Sequence, residues 1–151
     1  MTALFKELDH LNTIFFDTAP VIYYIEAHLH YGHIAKEVVD VVRLGRLHAF
    51  TSVITLAEVL PKPIESGNEE LARKFEEFLR YGKNFDLIEI SADIAKAAGE
   101  LRGRYSFLRA LDAIQIAAAL ETGSDAFVTN DIALKRVREI KTIVLKEYLS
   151  E

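Results

Sequence analysis

Four acidic residues lie inside or beside apolar runs of this chain, where a carboxylate requires a specific partner. They are Asp17, Glu58, Asp112 and Asp131. Carboxylate oxygens are the ligands that Mg²⁺ and Mn²⁺ prefer in proteins, usually together with retained waters. If the fold gathers these side chains at one end of a sheet, they predict an oxygen-rich site for such an ion.

Each acid also has an alternative, structural interpretation. A helix is predicted to begin at or near each of the three aspartates, and aspartate is a preferred N-cap that suits the positive end of a helix. Glu58 differs because it lies inside a predicted helix, between Ala57 and Val59. Its alternative is a buried ion pair. The sequence by itself leaves these alternatives open.

Composition indicates a folded, water-soluble protein. The 151 residues fit one ordinary domain, half of them are hydrophobic, and 27% are charged, which excludes the signature of disorder. The absence of cysteine excludes disulfides, thiolate metal sites and thiol catalysis. No basic segment precedes a long apolar one near Met1, and no run approaches the roughly 18 apolar residues of a membrane span. We therefore expect a cytoplasmic protein without membrane association.

The net charge of −5 is unfavourable for a nucleic-acid partner, but local charge matters more than the total. Two bound divalent cations would add four positive charges and bring −5 to −1. Basic residues also form two groups, which either contact phosphates or form a solvated face balanced by acids. The groups are Arg102, Arg104 and Arg109, and Lys135, Arg136, Arg138 and Lys141.

Short apolar runs alternate with helical patterns along the chain. The predicted strands are 13–17, 49–53, 85–90, 126–129 and 141–145. The predicted helices are one directly after Asp17 that includes Pro20 and Ile25, and then 33–47, 53–60, 68–81, 91–104, 108–121 and 131–139. Pro61-Lys62-Pro63 predicts an extended segment.

This alternation favours a parallel sheet that is covered by helices on both faces. In such sheets the binding crevice lies beyond the carboxyl ends of the strands, where the strand order reverses. Asp17 and Asp131 directly follow predicted strands, so both are expected to reach this crevice.

The joint pattern resembles the PIN-domain nucleases, in particular the VapC-type toxins, over nearly the whole chain. The matching residues are Asp17-Thr18, Thr55 with Glu58, Leu111-Asp112-Ala113-Ile114-Gln115-Ile116-Ala117, and Thr129-Asn130-Asp131. The resemblance implies an α/β fold, a three-layer α/β/α sandwich whose mostly parallel central sheet has about five strands. It implies a single PIN-like domain over residues 1–151.

The resemblance also implies a function. The chain is expected to be an endoribonuclease dependent on Mg²⁺ or Mn²⁺, in which Asp17, Glu58, Asp112 and Asp131 hold the metal. The Thr129 hydroxyl is expected to bind water or a phosphate oxygen, and capping of the next helix is its alternative. As in VapC-like relatives, we expect a toxin with a small antitoxin partner, working as a homodimer. Ala19 departs from the Ser or Asn of many relatives and removes one hydrogen bond near Asp17.

Other functions explain the sequence less well. The main alternative is a PIN fold that binds RNA or assembles with partners without cutting. A histidine metal site at His28, His30 and His33 is disfavoured by helical spacing. Haloacid dehalogenase phosphatases need a second acid where Ala19 stands, and receiver domains need adjacent acids where Phe16 precedes Asp17.

Overall fold

The computed structural model of the protein describes residues 2–149. Its single sheet has five parallel strands in the order β3-β2-β1-β4-β5. The strands are β1 Thr13–Phe16, β2 His48–Ser52, β3 Phe85–Ile88, β4 Ala126–Thr129 and β5 Lys141–Val144. The prediction of a mostly parallel sheet of about five strands is confirmed.

Helices connect these strands. They are α1 Ala3–Leu8, α2 Thr18–Ile25, α3 Gly32–Arg43, α4 Val53–Val59, α5 Pro61–Glu65, α6 Glu69–Tyr81, α7 Ala92–Arg104 and α8 Ala110–Glu121, with 3₁₀ helices at Ile132–Arg136 and Leu145–Tyr148. None of the helices within residues 2–149 is long and apolar enough to cross a membrane.

The core is divided between the two faces of the sheet. Along β1, Ile14 and Phe16 pack into one apolar cluster with α3 and α6, whereas Phe15 packs into a second with α7 and α8. Phe15 stacks on Phe127 of β4, with ring centroids 5.8 Å apart. Because successive strand residues point to opposite faces, the unbroken apolar run of β1 fills both clusters. The result is the predicted three-layer α/β/α architecture.

The strand order reverses at the centre of the sheet. β1 pairs with β2 on one side and with β4 on the other, so the connections after β1 and after β4 lead away in different directions. Asp17 is the first residue after β1, and Asp131 is the second after β4. Both therefore lie at the crevice where parallel α/β sheets bind ligands.

The prediction of an extended segment at Pro61-Lys62-Pro63 is wrong, since α5 begins at Pro61. The first-turn amides of a helix have no intrahelical acceptor, so prolines there cost no hydrogen bond. Leu60 adopts helical geometry, with φ −78° and ψ −33°, although it precedes a proline. The bend between α4 and α5 thus replaces an extended linker.

Two other predicted helices are shorter than expected. The segment predicted as helix 131–139 contains only the 3₁₀ helix Ile132–Arg136, in which Leu134 is buried, and the chain leaves helical geometry at Val137. The helix predicted at 33–47 ends at Arg43 because Gly45, with φ +84°, turns the chain towards β2. α1 and the last 3₁₀ helix were not predicted.

Candidate active site

All four predicted acids line one open cleft of about 440 Å³ at the carboxyl edge of the sheet. Asp17 and Asp131 come from the ends of β1 and β4, Glu58 from α4, and Asp112 from the first turn of α8. The structure thus brings together side chains that are far apart in sequence. The cleft is also lined by Thr18, Ala19, Ile22, Tyr23, Arg109, Thr129, Asn130 and Lys146.

Asp17 is the most constrained of the four acids. It caps α2, and its Oδ1 accepts a hydrogen bond from the Thr18 amide at 2.9 Å, while its Oδ2 accepts one from the buried Thr129 hydroxyl at 2.7 Å. Burial nevertheless raises the pKa of Asp17 to about 6; the two hydrogen bonds oppose this shift, and the charges of Asp112 and Glu58 add to it. Asp17 therefore keeps its proton up to a higher pH than an ordinary aspartate does.

Glu58 is held by a hydroxyl rather than by a cation. Its Oε1 accepts a hydrogen bond from Thr18 Oγ1 at 2.6 Å, and the residue is exposed to the cleft. The alternative of a buried ion pair is wrong for this residue. Since Thr18 follows Asp17 directly, one short segment orients two of the acids.

Asp112 carries the only ion pair among the four acids within the part of the chain that the structure describes. Its Oδ2 lies 3.2 Å from Arg109 Nε. The Arg109 side chain is 80% exposed, and such surface pairs contribute only about 0–1 kcal/mol, so the guanidinium can leave Asp112 at little cost. The N-cap of α8 is Arg109, which makes no side-chain cap, so the capping interpretation of Asp112 is wrong.

Asp131 and its neighbours close the other side of the cleft. Asp131 caps the 3₁₀ helix through a hydrogen bond from the Ala133 amide at 3.0 Å, as the capping alternative predicted, and it still faces the cleft. The Asn130 amide nitrogen donates to the Tyr23 hydroxyl at 3.2 Å, and its oxygen accepts from the Lys146 amide at 2.8 Å. Asn130 therefore ties the β4 connection to α2 and to the segment after β5.

A buried hydrogen-bond network supports three of the acids from below. Gln115 Nε2 donates to Thr55 Oγ1 at 2.8 Å, and Gln115 Oε1 accepts from Ser52 Oγ at 2.6 Å. Thr55 contacts the hydroxyls of Thr51, at 2.8 Å, and of Thr18, at 3.2 Å. Thr51 in turn donates to the carbonyl oxygen of Phe16, the residue before Asp17, at 2.7 Å.

The position of Thr55 in this network couples α4 to α8. Thr55 lies one helical turn before Glu58, and Gln115 lies one turn after Asp112. Gln115 and Thr55 are 1% and 0% exposed. A buried network in which every group has a partner fixes the distance between the elements that carry it. Ser52, Gln115, Thr18 and Asn130 were not assigned roles from the sequence, although a glutamine within the apolar pattern of α8 was a visible signal.

The donor set fits a divalent metal in type. Four carboxylates and the Thr129 hydroxyl surround the cleft, and oxygen-only ligands with room for water suit Mg²⁺ or Mn²⁺. As the side chains stand, no three His, Asp or Glu residues among 2–149 are arranged closely enough to hold an ion. Asp112 and Glu58 point instead to Arg109 and Thr18. Each of these two carboxylates is therefore engaged by a neighbouring side chain that also lines the cleft.

The competing histidine site gains no support. His28 Nδ1 accepts hydrogen bonds from the backbone amides of His30 and Tyr31, at 3.1 and 3.2 Å, so this nitrogen serves the loop. The two basic groups are largely paired with acids, as the solvated-face interpretation predicts. The pairs are Arg104 with Glu139, Arg109 with Asp112, Lys135 with Glu147, and Lys141 with Glu7.

Comparison with known proteins identifies the family. The family model described as the PIN domain matches residues 14–140, which include all four acids and β1 except its first residue. The chain belongs to the PIN-domain family. The resemblance inferred from the sequence is thereby confirmed at the level of the family. No curated protein matches the sequence.

Solved structures of similar PIN-like fold include toxin–antitoxin complexes. The chain is similar to VapBC2 from Rickettsia felis bound to a DNA fragment from their promoter, with a TM-score of 0.72, 20% identity and coverage of 87% of this chain and 98% of that one. A toxin–antitoxin complex from Klebsiella pneumoniae gives a TM-score of 0.62, 24% identity and coverage of 87% and 96%. Mycobacterium tuberculosis VapC20, a sarcin–ricin loop cleaving toxin, gives 0.63, 19% identity and coverage of 76% and 86%. At these identities the likeness establishes the fold.

Proposed function

We propose that this PIN-domain protein is an endoribonuclease that hydrolyses phosphodiester bonds in RNA with Mg²⁺ or Mn²⁺. The observation that carries the proposal is the convergence of Asp17, Glu58, Asp112 and Asp131 on one cleft at the switch point of the sheet. Four carboxylates in one cleft repel one another; burial is the main cause of the raised pKa of Asp17, and the charges of Asp112 and Glu58 add to it. A bound cation would offset the repulsion among the four carboxylates, which supports a metal site at this cleft.

The four carboxylates would hold the cation, and the Thr129 hydroxyl would orient Asp17 through its hydrogen bond. A divalent ion at this site would polarise the phosphodiester and lower the pKa of a bound water. Thr18 sets the direction of the Glu58 carboxylate through its hydrogen bond. Arg109 lines the same cleft with an 80% exposed side chain, and its guanidinium would bind a phosphate oxygen of the RNA. Lys146 lines the same cleft and supplies a second positive charge.

The same proposal includes partners. Solved structures of similar fold are described as toxin–antitoxin complexes, which supports a small antitoxin for this chain. Exposed apolar side chains on α5, on α6 and in the turns that flank α3 would provide surface for such an antitoxin and for a second copy in a homodimer. They include Leu29, Leu44, Ile64 and Tyr81, whose exposed fractions are 87%, 76%, 64% and 78%.

The test is a cleavage assay with labelled RNA and purified wild-type chain. We expect cleavage with Mn²⁺ or Mg²⁺, none in EDTA, and none with Asp17→Asn or Asp112→Asn. Circular dichroism and thermal unfolding establish that the variants are folded. Asp86→Asn is a matched control, because Asp86 is an exposed aspartate on β3 that pairs with His48 and does not line the cleft.

Two results would contradict the proposal. Full activity in EDTA would show that the reaction needs no divalent metal. Full activity of Asp112→Asn would show that Asp112 is not part of the catalytic site. A wild-type chain that retains RNA in a mobility shift but never shortens it would instead support the alternative of a binding or assembly module.

A further inference from the structure

Four aromatic rings form a compact cluster between the end of α2 and the start of α3. The ring centroid of Tyr23 lies 4.8 Å from that of His28 and 5.0 Å from that of Tyr31. His28 stacks on Tyr31 at 5.2 Å with an interplanar angle of 20°. His30 extends the cluster, 5.9 Å from His28 and 6.4 Å from Tyr31.

The loop that carries these rings is tightly built. Ala27 occupies the left-handed region with φ +51°, which is strained for a residue with a side chain. A Cβ on Gly32 would lie 2.9 Å from the Ala27 carbonyl carbon, so only glycine allows this close approach. The His28 side chain accepts two backbone amide hydrogens from within the loop. The close approach of Gly32 to Ala27 and the two hydrogen bonds to His28 restrict the conformation of the loop, and so the positions of its rings.

The inner end of the cluster belongs to the acid cleft. Tyr23 lines that cleft, and its hydroxyl accepts a hydrogen bond from Asn130, which lies between Thr129 and Asp131. The outer end is exposed at His30. Tyr23 is the one of these four rings that lines the cleft, and the half-buried rings of His28 and Tyr31 connect it to the exposed His30.

We propose that Tyr23, His28, Tyr31 and His30 form a stacking subsite for an unpaired base of the RNA strand beside the cleaved phosphodiester. This inference rests on the proposed function for its substrate. The π-face of any base stacks on aromatic side chains, so the subsite selects single-stranded structure rather than sequence. In a duplex the bases stack on one another and are not presented to a protein ring. The protein therefore favours loops or unpaired segments of RNA.

A binding experiment tests the subsite directly. The full chain in EDTA and low salt is titrated against a single-stranded RNA that carries 2-aminopurine, whose fluorescence reports stacking, and against the same sequence in a duplex. We expect the wild-type chain to change the fluorescence of the single strand and to bind the duplex more weakly. His30→Ala is expected to raise Kd for the single strand about fivefold, and Tyr23→Leu about tenfold or more.

Two control variants separate stacking from other effects. Leu29→Ala removes an 87% exposed side chain from the same loop and is expected to leave Kd unchanged. Tyr23→Phe keeps the ring and loses only the contact with Asn130, so it is expected to restore most of the affinity that Tyr23→Leu loses. Unchanged binding and fluorescence in His30→Ala and Tyr23→Leu would overturn the proposal, as would no measurable binding of single-stranded RNA by the wild type. An equal effect of Leu29→Ala would show that the loss of binding is not specific to the rings and would also overturn the proposal.

The outcome is independent of the cleavage assay. If the chain cleaves RNA with metal but His30→Ala and Tyr23→Leu do not weaken RNA binding, the proposed function is supported and the stacking subsite is contradicted. If the rings stack on single-stranded RNA but the chain does not cleave RNA in Mn²⁺, the stacking subsite is supported and the nuclease function is contradicted.

Discussion

The side-chain amide of Gln115 donates a hydrogen bond to the Thr55 hydroxyl at 2.8 Å, and this buried contact joins the helix of Asp112 to the helix of Glu58. Each of the two polar residues lies one helical turn from an acid of the cleft. The spacing between Asp112 and Glu58 is therefore set from inside the protein, where solvent cannot compete.

Gln115→Leu is expected to weaken metal binding as well as stability. Leucine leaves the Ser52 hydroxyl proton without its acceptor, at about 1–3 kcal/mol, and Thr55 keeps only its contacts with Thr51 and Thr18. Loss of the support below the acids should raise the Kd for Mn²⁺ about tenfold, since residues that orient metal ligands typically contribute 10–100-fold. Calorimetric titration with Mn²⁺ and urea unfolding measure the two effects.

Ile116→Ala is the control for this prediction. Ile116 is buried on the same helix, 1% exposed, and truncation to alanine should cost a comparable 2–5 kcal/mol. Its metal affinity should stay at the wild-type value. If both variants weaken Mn²⁺ binding equally, Gln115 acts only through general stability and not through positioning.

The sequence predicted the central strands β1 and β4 well because they are short apolar runs that bury both faces of the sheet. The prediction for α5 was wrong because two effects of proline oppose each other. Proline disfavours helical geometry in the residue before it, but the first turn of a helix accepts proline, and here the second effect prevails. The resemblance located the acids, but the partners of Gln115 could not be read from a linear pattern. They lie 60 and 63 positions away, and only folding brings them together.

Ionisation of Asp17 is expected to cost stability in the metal-free protein. The pKa of this carboxyl is about 6 in the folded state against an ordinary value of 3.8, so between about pH 4 and 6 the folded protein keeps a proton that the unfolded chain releases. The free energy of unfolding should therefore fall as the pH rises through this window and be constant above it, as far as Asp17 contributes. The full shift corresponds to about 3 kcal/mol, an upper value because the carboxyl borders an open cleft.

Asp17→Asn isolates this contribution, because asparagine does not titrate. The difference in unfolding free energy, variant minus wild type, should grow from about pH 4 to about pH 6. Urea unfolding of both proteins in EDTA at several pH values measures it. A difference that does not change with pH would show that the folded state does not raise this pKa.

Thr129→Val is expected to raise the pKa of Asp17 further. The Thr129 hydroxyl donates to Asp17 Oδ2, and this bond favours the charged carboxylate. Valine has a similar shape and no hydroxyl, so it removes this bond together with the one that Thr129 Oγ1 accepts from the Asp131 amide at 3.2 Å. Carboxyl carbon shifts from an NMR pH titration of the metal-free protein report the pKa. Thr122→Val, which loses a hydroxyl at the far end of α8, should leave it unchanged; a lower pKa in Thr129→Val would contradict the assigned role.

Gly32→Ala and Gly99→Ala are expected to change stability in opposite directions. At Gly32 the new methyl group would lie 2.9 Å from the backbone of Ala27, and the loop must shift to admit it, at about 1–3 kcal/mol. At Gly99, inside α7, no atom lies within 4 Å of the new Cβ, and alanine should stabilise the helix by about 0.5–1 kcal/mol. Urea unfolding measures both changes.

Since the same loop holds the rings of His28 and Tyr31, Gly32→Ala should also weaken stacking of the 2-aminopurine RNA, whereas Gly99→Ala should not. Equal RNA binding by the two variants would mean that the close approach of Gly32 to Ala27 serves stability alone.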